Sequence, residues 1–117
     1  KTWNADIVKR YDMQKEDPQP ELETEIHILR IGDIVICTNP FELFTDYGIR
    51  MQARSKALQT FTIQLVGPGH YVPTKKAVHG GGYSAIPQSC PLGPEGGQIL
   101  VDKTVDLVDE IFNDENN

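Results

Sequence analysis

Residues 24–40, "TEIHILRIGDIVICTNP", decide the fold of this chain. Two apolar runs flank Gly32-Asp33, a dipeptide typical of a tight turn between antiparallel strands. The second run is apolar on both faces, which is typical of a strand that has neighbours on both sides. The stretch therefore predicts a β-hairpin whose second strand lies centrally in a sheet.

The residues that follow predict a helix and a further strand. From Phe41 onward, apolar residues recur at spacings of three and four, with Asn39 as a candidate N-cap and Pro40 at the first helical position. We expect this helix to run to about Ser55. The alternating stretch "QTFTIQLVG" at residues 59–67 predicts a half-buried strand. A strand, a helix and a strand in this order favour a right-handed parallel crossover.

The rest of the chain surrounds this unit, which spans residues 23–66. Residues 1–22 predict a short helix and a polar linker with two prolines. Residues 67–97 hold eight of the ten glycines and five of the eight prolines, so we expect them to be mostly loop. An apolar stripe over residues 98–113 predicts a closing helix, followed by a frayed tail. The predicted fold class is α+β, a small mixed β-sheet with packed helices and a long Gly/Pro-rich loop.

Length and composition narrow the class of protein. With 117 residues the chain forms one domain, and its apolar runs are far shorter than the roughly 20 residues of a membrane helix. A net charge of −6 with scattered basic residues argues against nucleic acid as a partner. Cys37 lies in an apolar run, which predicts a buried, inert thiol. Because the chain begins at Lys1 without a signal-peptide pattern, we expect it to be an excised part of a longer protein.

Three features are candidates for chemistry, and each also has a simpler structural explanation. The glycine run at residues 79–82, "HGGG", suggests a hydrolase oxyanion loop, but the chain has no Gly-x-Ser-x-Gly motif, so turn-forming glycines are the better interpretation. Glu42, expected in the first turn of a helix, either belongs to a site or complements the helix dipole. Tyr71 and Tyr83, twelve positions apart in loop-rich sequence, either pack or contact a ligand.

Together these pieces resemble the neutral/alkaline, non-lysosomal ceramidases, zinc-dependent amidases that hydrolyse the N-acyl bond of sphingolipids. The resemblance runs from about Ile26 to Phe112. "IGDIVICTNPFE" is similar to the family's Gly-Asp strand that ends in Pro-x-Glu, and "HYVPTKKAVHGGGYSA" is similar to its His-Tyr stretch with a second tyrosine twelve residues later. Gly93-Pro94 then precedes the last helix. The chain resembles most the shorter, ceramidase-like bacterial proteins.

The resemblance implies a function and a site. Glu42 and Tyr71 match two of the family's zinc ligands, and Tyr83 matches its second active-site tyrosine, near the scissile amide. The other ligands are histidines that lie upstream in the family. The resemblance therefore implies the C-terminal portion of a zinc-dependent amidohydrolase, whose partner is the upstream portion of the same polypeptide. Without the upstream portion, this chain is expected to be inactive and to bind zinc weakly or not at all.

The three histidines of this chain do not match the family's ligands, and we expect His27, His70 and His79 to be ordinary structural residues. An alternative from another class stays open, a non-catalytic interaction domain that docks to a partner or to a second copy of itself. A homodimer is compatible with both hypotheses. The resemblance further implies a membrane-lipid substrate and favours an extracytoplasmic location over a cytoplasmic one.

Overall fold

The computed structural model describes residues 2–18 and 20–114 of the chain. Within them the elements are, in chain order, α1 (Thr2–Glu16), β1 (His27–Ile31), β2 (Ile34–Thr38), β3 (Glu42–Leu43), α2 (Thr45–Arg54), β4 (Gln59–Ile63), β5 (Tyr71–Val72), α3 (Lys75–Gly80), a 3-10 turn (Tyr83–Ala85) and α4 (Pro94–Asn113). No helix in this part of the chain is long and apolar enough to cross a membrane. The end of the tail, which the sequence predicts to fray, lies outside the described residues.

A three-stranded mixed sheet forms the centre of the fold, in the order β1-β2-β4. β1 and β2 are antiparallel, and Ile31 lies opposite Ile34 across the turn at Gly32-Asp33. Gly32 has a φ of 61°, which glycine adopts without steric cost. β2 and β4 are parallel, with α2 between them in the chain. The hairpin, the central position of β2 and the parallel crossover are confirmed, and the chain has an α+β fold.

One face of this sheet packs against helices and forms the core. Val35 and Cys37 on β2 cluster with Val108 on α4. An adjoining cluster joins α2, α4 and β5, and its buried members are Phe41, Tyr47, Met51, Val72, Leu100, Val101 and Val105. Burial raises the pKa of the Cys37 thiol to about 11, so this cysteine is protonated and inert at neutral pH. The predicted buried thiol is therefore confirmed.

The helix predicted from Phe41 begins later, at Thr45, and that prediction was wrong at its start. The side chain of Asn39 does not cap a helix but accepts a hydrogen bond from the N–H of Phe41, two residues on, at 3.0 Å. Residues 42–43 instead form strand β3, which pairs with β5. Glu42 thus lies in a strand and not in the first turn of a helix, because pairing with a distant segment outweighs local helical preference.

Residues 67–97 are mostly loop, as predicted, but short regular elements that the sequence did not predict interrupt them. They hold β5, α3, the 3-10 turn and the first residues of α4, which begins at Pro94. The Thr74 hydroxyl caps α3 by accepting a hydrogen bond from the N–H of Ala77 at 3.2 Å, and Gly81 ends the helix with a φ of 70°. Elements this short carry no measurable apolar periodicity, which explains why the sequence did not reveal them.

Candidate functional site

The candidate site lies just beyond the carboxyl ends of the parallel strands β2 and β4, where open α/β sheets place their binding sites. The segments that leave these two strands are hydrogen-bonded to each other. The N–H of Leu65 donates to the carbonyl oxygen of Phe41 at 3.1 Å, and the side-chain oxygen of Gln64 accepts from the N–H of Leu43 at 2.9 Å. These bonds hold β3 at the end of the main sheet.

β3 and β5 form a second, two-stranded parallel sheet in which Glu42 lies directly beside Tyr71. The N–H of Glu42 donates to the carbonyl oxygen of His70 at 3.0 Å. Gly69 permits this approach, since a Cβ there would lie 1.7 Å from the carbonyl oxygen of Pro40. Because the two residues are register partners, their side chains project on the same side of the small sheet.

Tyr83 joins this pair from the 3-10 turn. Its ring meets the ring of Tyr71 edge to face, with centroids 6.1 Å apart and an interplanar angle of 79°. The left-handed conformation of Gly81 reverses the chain after α3 and leads it into the turn that carries Tyr83. The structure therefore brings together all three residues that the sequence singled out, although they come from three separate elements.

A cleft of about 250 Å³ opens over these side chains. Its lining residues are Glu42, Gly69, His70, Tyr71, Tyr83, Gln88 and Ser89. It is open to solvent, as a site for part of a larger substrate must be. Larger cavities among the described residues lie elsewhere, so the cleft is distinguished by its chemistry rather than by its size.

The neighbouring Glu42 side chain dominates the electrostatics of Tyr71. As a hydrogen-bond acceptor, and next through its negative charge, the Glu42 carboxylate raises the pKa of the Tyr71 phenol above its ordinary value. Both effects favour the neutral phenol, so Tyr71 keeps its proton at neutral pH. A metal cation bound between the two side chains would take the place of that proton.

The two residues fit part of a zinc site and not the whole of one. Hydrolytic zinc is held by about three or four protein ligands with one position left open, and carboxylate oxygens are among its usual ligands. Among residues 2–18 and 20–114 there is no group of three or more His, Cys, Asp or Glu side chains arranged to hold a metal ion. A complete zinc site would need ligands in addition to these two described residues.

Two polar residues of the cleft, Gln88 and Ser89, were not found from the sequence. The Ser89 hydroxyl is shielded from solvent and, within the described part of the chain, has no hydrogen-bond partner. A buried hydroxyl without a partner is costly, so this position marks an unusual point in the wall of the cleft. The only signal was the position of these residues in "IPQSCP", inside the Gly/Pro-rich segment.

The other sequence candidates are placed as follows. His27 is exposed and lies 2.9 Å from the carboxylate of Glu25, and His79 is exposed in the last turn of α3. His70 lines the cleft, and its backbone carbonyl holds β3. A Cβ at any glycine of residues 80–82 would meet no atom within 4 Å, so this run serves the chain reversal at the end of α3.

Comparison with known proteins identifies no relative: no family model, no curated protein and no solved structure matches the chain. The fold class stands on the element order and the sheet topology. Any function assigned to the chain must therefore be supported by the chemistry of the cleft itself.

Proposed function

We propose that this chain is the C-terminal portion of a ceramidase-like, zinc-dependent amidohydrolase that cleaves an N-acyl amide bond. Glu42 and Tyr71 are the metal ligands that it supplies, and Tyr83 is its catalytic residue. The observation that supports the proposal is that Glu42 and Tyr71 are register partners on β3 and β5 and line one cleft together with Tyr83. The upstream portion of the polypeptide supplies the histidine ligands.

Zinc in such a site lowers the pKa of a bound water to about 7 and polarises the amide carbonyl. Glu42 contributes a negative charge that attracts the cation. Tyr71 contributes a second oxygen, and it releases its proton when the cation binds, so zinc affinity rises with pH. In the chain without metal the proton stays on Tyr71, because the neighbouring Glu42 carboxylate raises the pKa of the phenol.

Tyr83 has a separate role in this proposal. Its edge-to-face contact with Tyr71 holds the ring beside the metal ligands. From there its hydroxyl donates a hydrogen bond to the carbonyl oxygen as negative charge develops on it. In other hydrolases the loss of such a donor costs roughly 3 kcal/mol of transition-state stabilisation.

The proposal is tested by measuring zinc content and N-acyl amide hydrolysis in the longer polypeptide and in this chain. Glu42→Gln and Tyr71→Phe should each abolish zinc-dependent hydrolysis in the longer protein and reduce its zinc content. Glu25→Gln, which changes an exposed glutamate outside the cleft, is the matched control and should keep both. Tyr83→Phe should retain zinc and lose about 100-fold in kcat.

This chain alone should bind little zinc and show no hydrolysis, because two ligands do not complete the site. Strong hydrolysis by the chain alone would refute the division of ligands between two portions of one polypeptide. Unchanged hydrolysis in both Glu42→Gln and Tyr71→Phe would refute the site itself.

A further inference from the structure

The second face of the three-stranded sheet is apolar and uncovered in the described chain. Register partners across β1, β2 and β4 point to the same side, and alternate residues of each strand therefore lie opposite the face that packs on α2 and α4. This surface, the open sheet face, consists of His27, Leu29, Ile31, Ile34, Ile36, Thr38, Gln59, Phe61 and Ile63.

The exposed apolar side chains of the open sheet face lie next to each other and form one patch. Five of its large apolar residues are each between 38% and 60% exposed: Leu29, Ile31, Ile34, Phe61 and Ile63. Exposure of about half of each side chain amounts to roughly 80 Å² per residue, or on the order of 400 Å² in one contiguous patch. Patches of this size on small proteins commonly mark interaction surfaces.

We propose that the open sheet face is the interface of a homodimer in which two copies of the chain pack sheet against sheet. None of its nine residues is Asp, Glu, Lys or Arg. Each copy carries a net charge of −6, so a dimer formed through another surface tends to place acidic side chains of the two copies near each other. A dimer formed through the open sheet face pairs nine residues none of which is acidic. A two-fold dimer uses the same patch on both copies, so an uncharged, apolar patch is complementary to itself.

The area of the face is that of a small interface, which fits a dimer that forms at micromolar concentrations. The apolar patches of two copies together bury on the order of 800 Å². The polar residues of the face and the backbone between them raise the total toward the lower end of the roughly 1,200–2,000 Å² that a specific interface buries. Ile36, in the middle of the central strand, lies at the centre of this interface. The face shares no residue with the cleft, so the variants that test the dimer leave the proposed metal ligands unchanged.

Sedimentation equilibrium of the 117-residue chain at micromolar concentrations tests the proposal. The unaltered chain should be a dimer. Phe61→Lys and Leu29→Lys should each raise the dissociation constant of the dimer at least about tenfold, because each places a cation within the apolar interface. Ile49→Lys is the matched control, since Ile49 is 55% exposed on α2 and lies outside the open sheet face, and this variant should dimerise normally.

Far-UV circular dichroism establishes that each variant is folded, and if one of the two face variants does not fold, the other carries the comparison. A chain that is monomeric across the whole concentration range would overturn the proposal. An unchanged dissociation constant in folded Phe61→Lys and Leu29→Lys would overturn it as well. The two copies would then meet at the outer edge of β1 or β4 or through another surface.

Discussion

Gly69 is the residue on which the candidate cleft most directly depends. Its backbone passes so close to Pro40 that a Cβ would lie 1.7 Å from a carbonyl oxygen and 2.8 Å from the carbonyl carbon. Main-chain atoms cannot rotate away as the end of a side chain can. The close approach is also what sets β5 beside β3, and so Glu42 beside Tyr71.

Gly69→Ala should therefore destabilise the fold by about 1–3 kcal/mol, the usual cost of forcing an extra methyl group into a packed site. Gly80→Ala is the matched control, because a Cβ at Gly80 meets no atom within 4 Å and alanine is favourable in a helix. Urea unfolding of both variants provides the comparison. Equal stabilities would show that the two backbones are not in close contact.

At the scale of the elements, an ion pair joins α2 and α4 in addition to their apolar contact. Nη1 of Arg54 donates to Oδ1 of Asp102 at 2.5 Å, and the side-chain amide of Gln98 donates to the same oxygen at 3.0 Å. The hydrogen bond from Arg54, opposed by partial desolvation and supported by the bond from Gln98, lowers the pKa of Asp102 below its ordinary value of 3.8.

A lowered pKa in the folded state means that the folded chain binds the proton less readily than the unfolded chain. The contribution of Asp102 to stability is thus fully present above pH 4 and is lost as the pH falls through the pKa of the folded state. Asp102→Asn should lower the urea midpoint of unfolding at pH 7. It should also make that midpoint fall less steeply as the pH is lowered. Asp106→Asn, an exposed position one turn further along α4, is the control. The same acid profile in both variants would contradict this role of the pair.

On the scale of the whole molecule, α1 is tied to the segment that forms one wall of the cleft. The chain is elongated, with extents of 53 × 28 × 21 Å. Arg10 on α1 donates hydrogen bonds to the carbonyl oxygens of Pro87 and Cys90, the second at 3.3 Å. These two carbonyls flank Gln88 and Ser89, which line the cleft. The distant helix therefore helps to hold the wall in place.

Arg10→Ala should speed hydrogen exchange at the amides of Ser89 and Cys90, both of which donate to the carbonyl oxygen of Ile86. Arg10→Lys should restore slow exchange at these amides only in part, since an ammonium group cannot donate to two separate carbonyl oxygens with the geometry of a guanidinium. Lys9→Ala, at a neighbouring exposed position, is the control. The amides of β2 serve as an internal reference. Unaltered exchange at the Ser89 and Cys90 amides in Arg10→Ala would show that the hydrogen bonds from Arg10 do not stabilise this wall.

The sequence determined the hairpin, the central strand and the crossover, because turn residues and apolar alternation act locally and repeat over several residues. It also singled out Glu42, Tyr71 and Tyr83, but it placed Glu42 on a helix and could not place Tyr71 against it. Only the tertiary structure decided that β3 pairs with β5 and that the rings of Tyr71 and Tyr83 meet. The physical reason is that strands of two residues and a three-residue turn have no periodicity of their own. Their positions are fixed by hydrogen bonds and close contacts between segments that are distant in the chain.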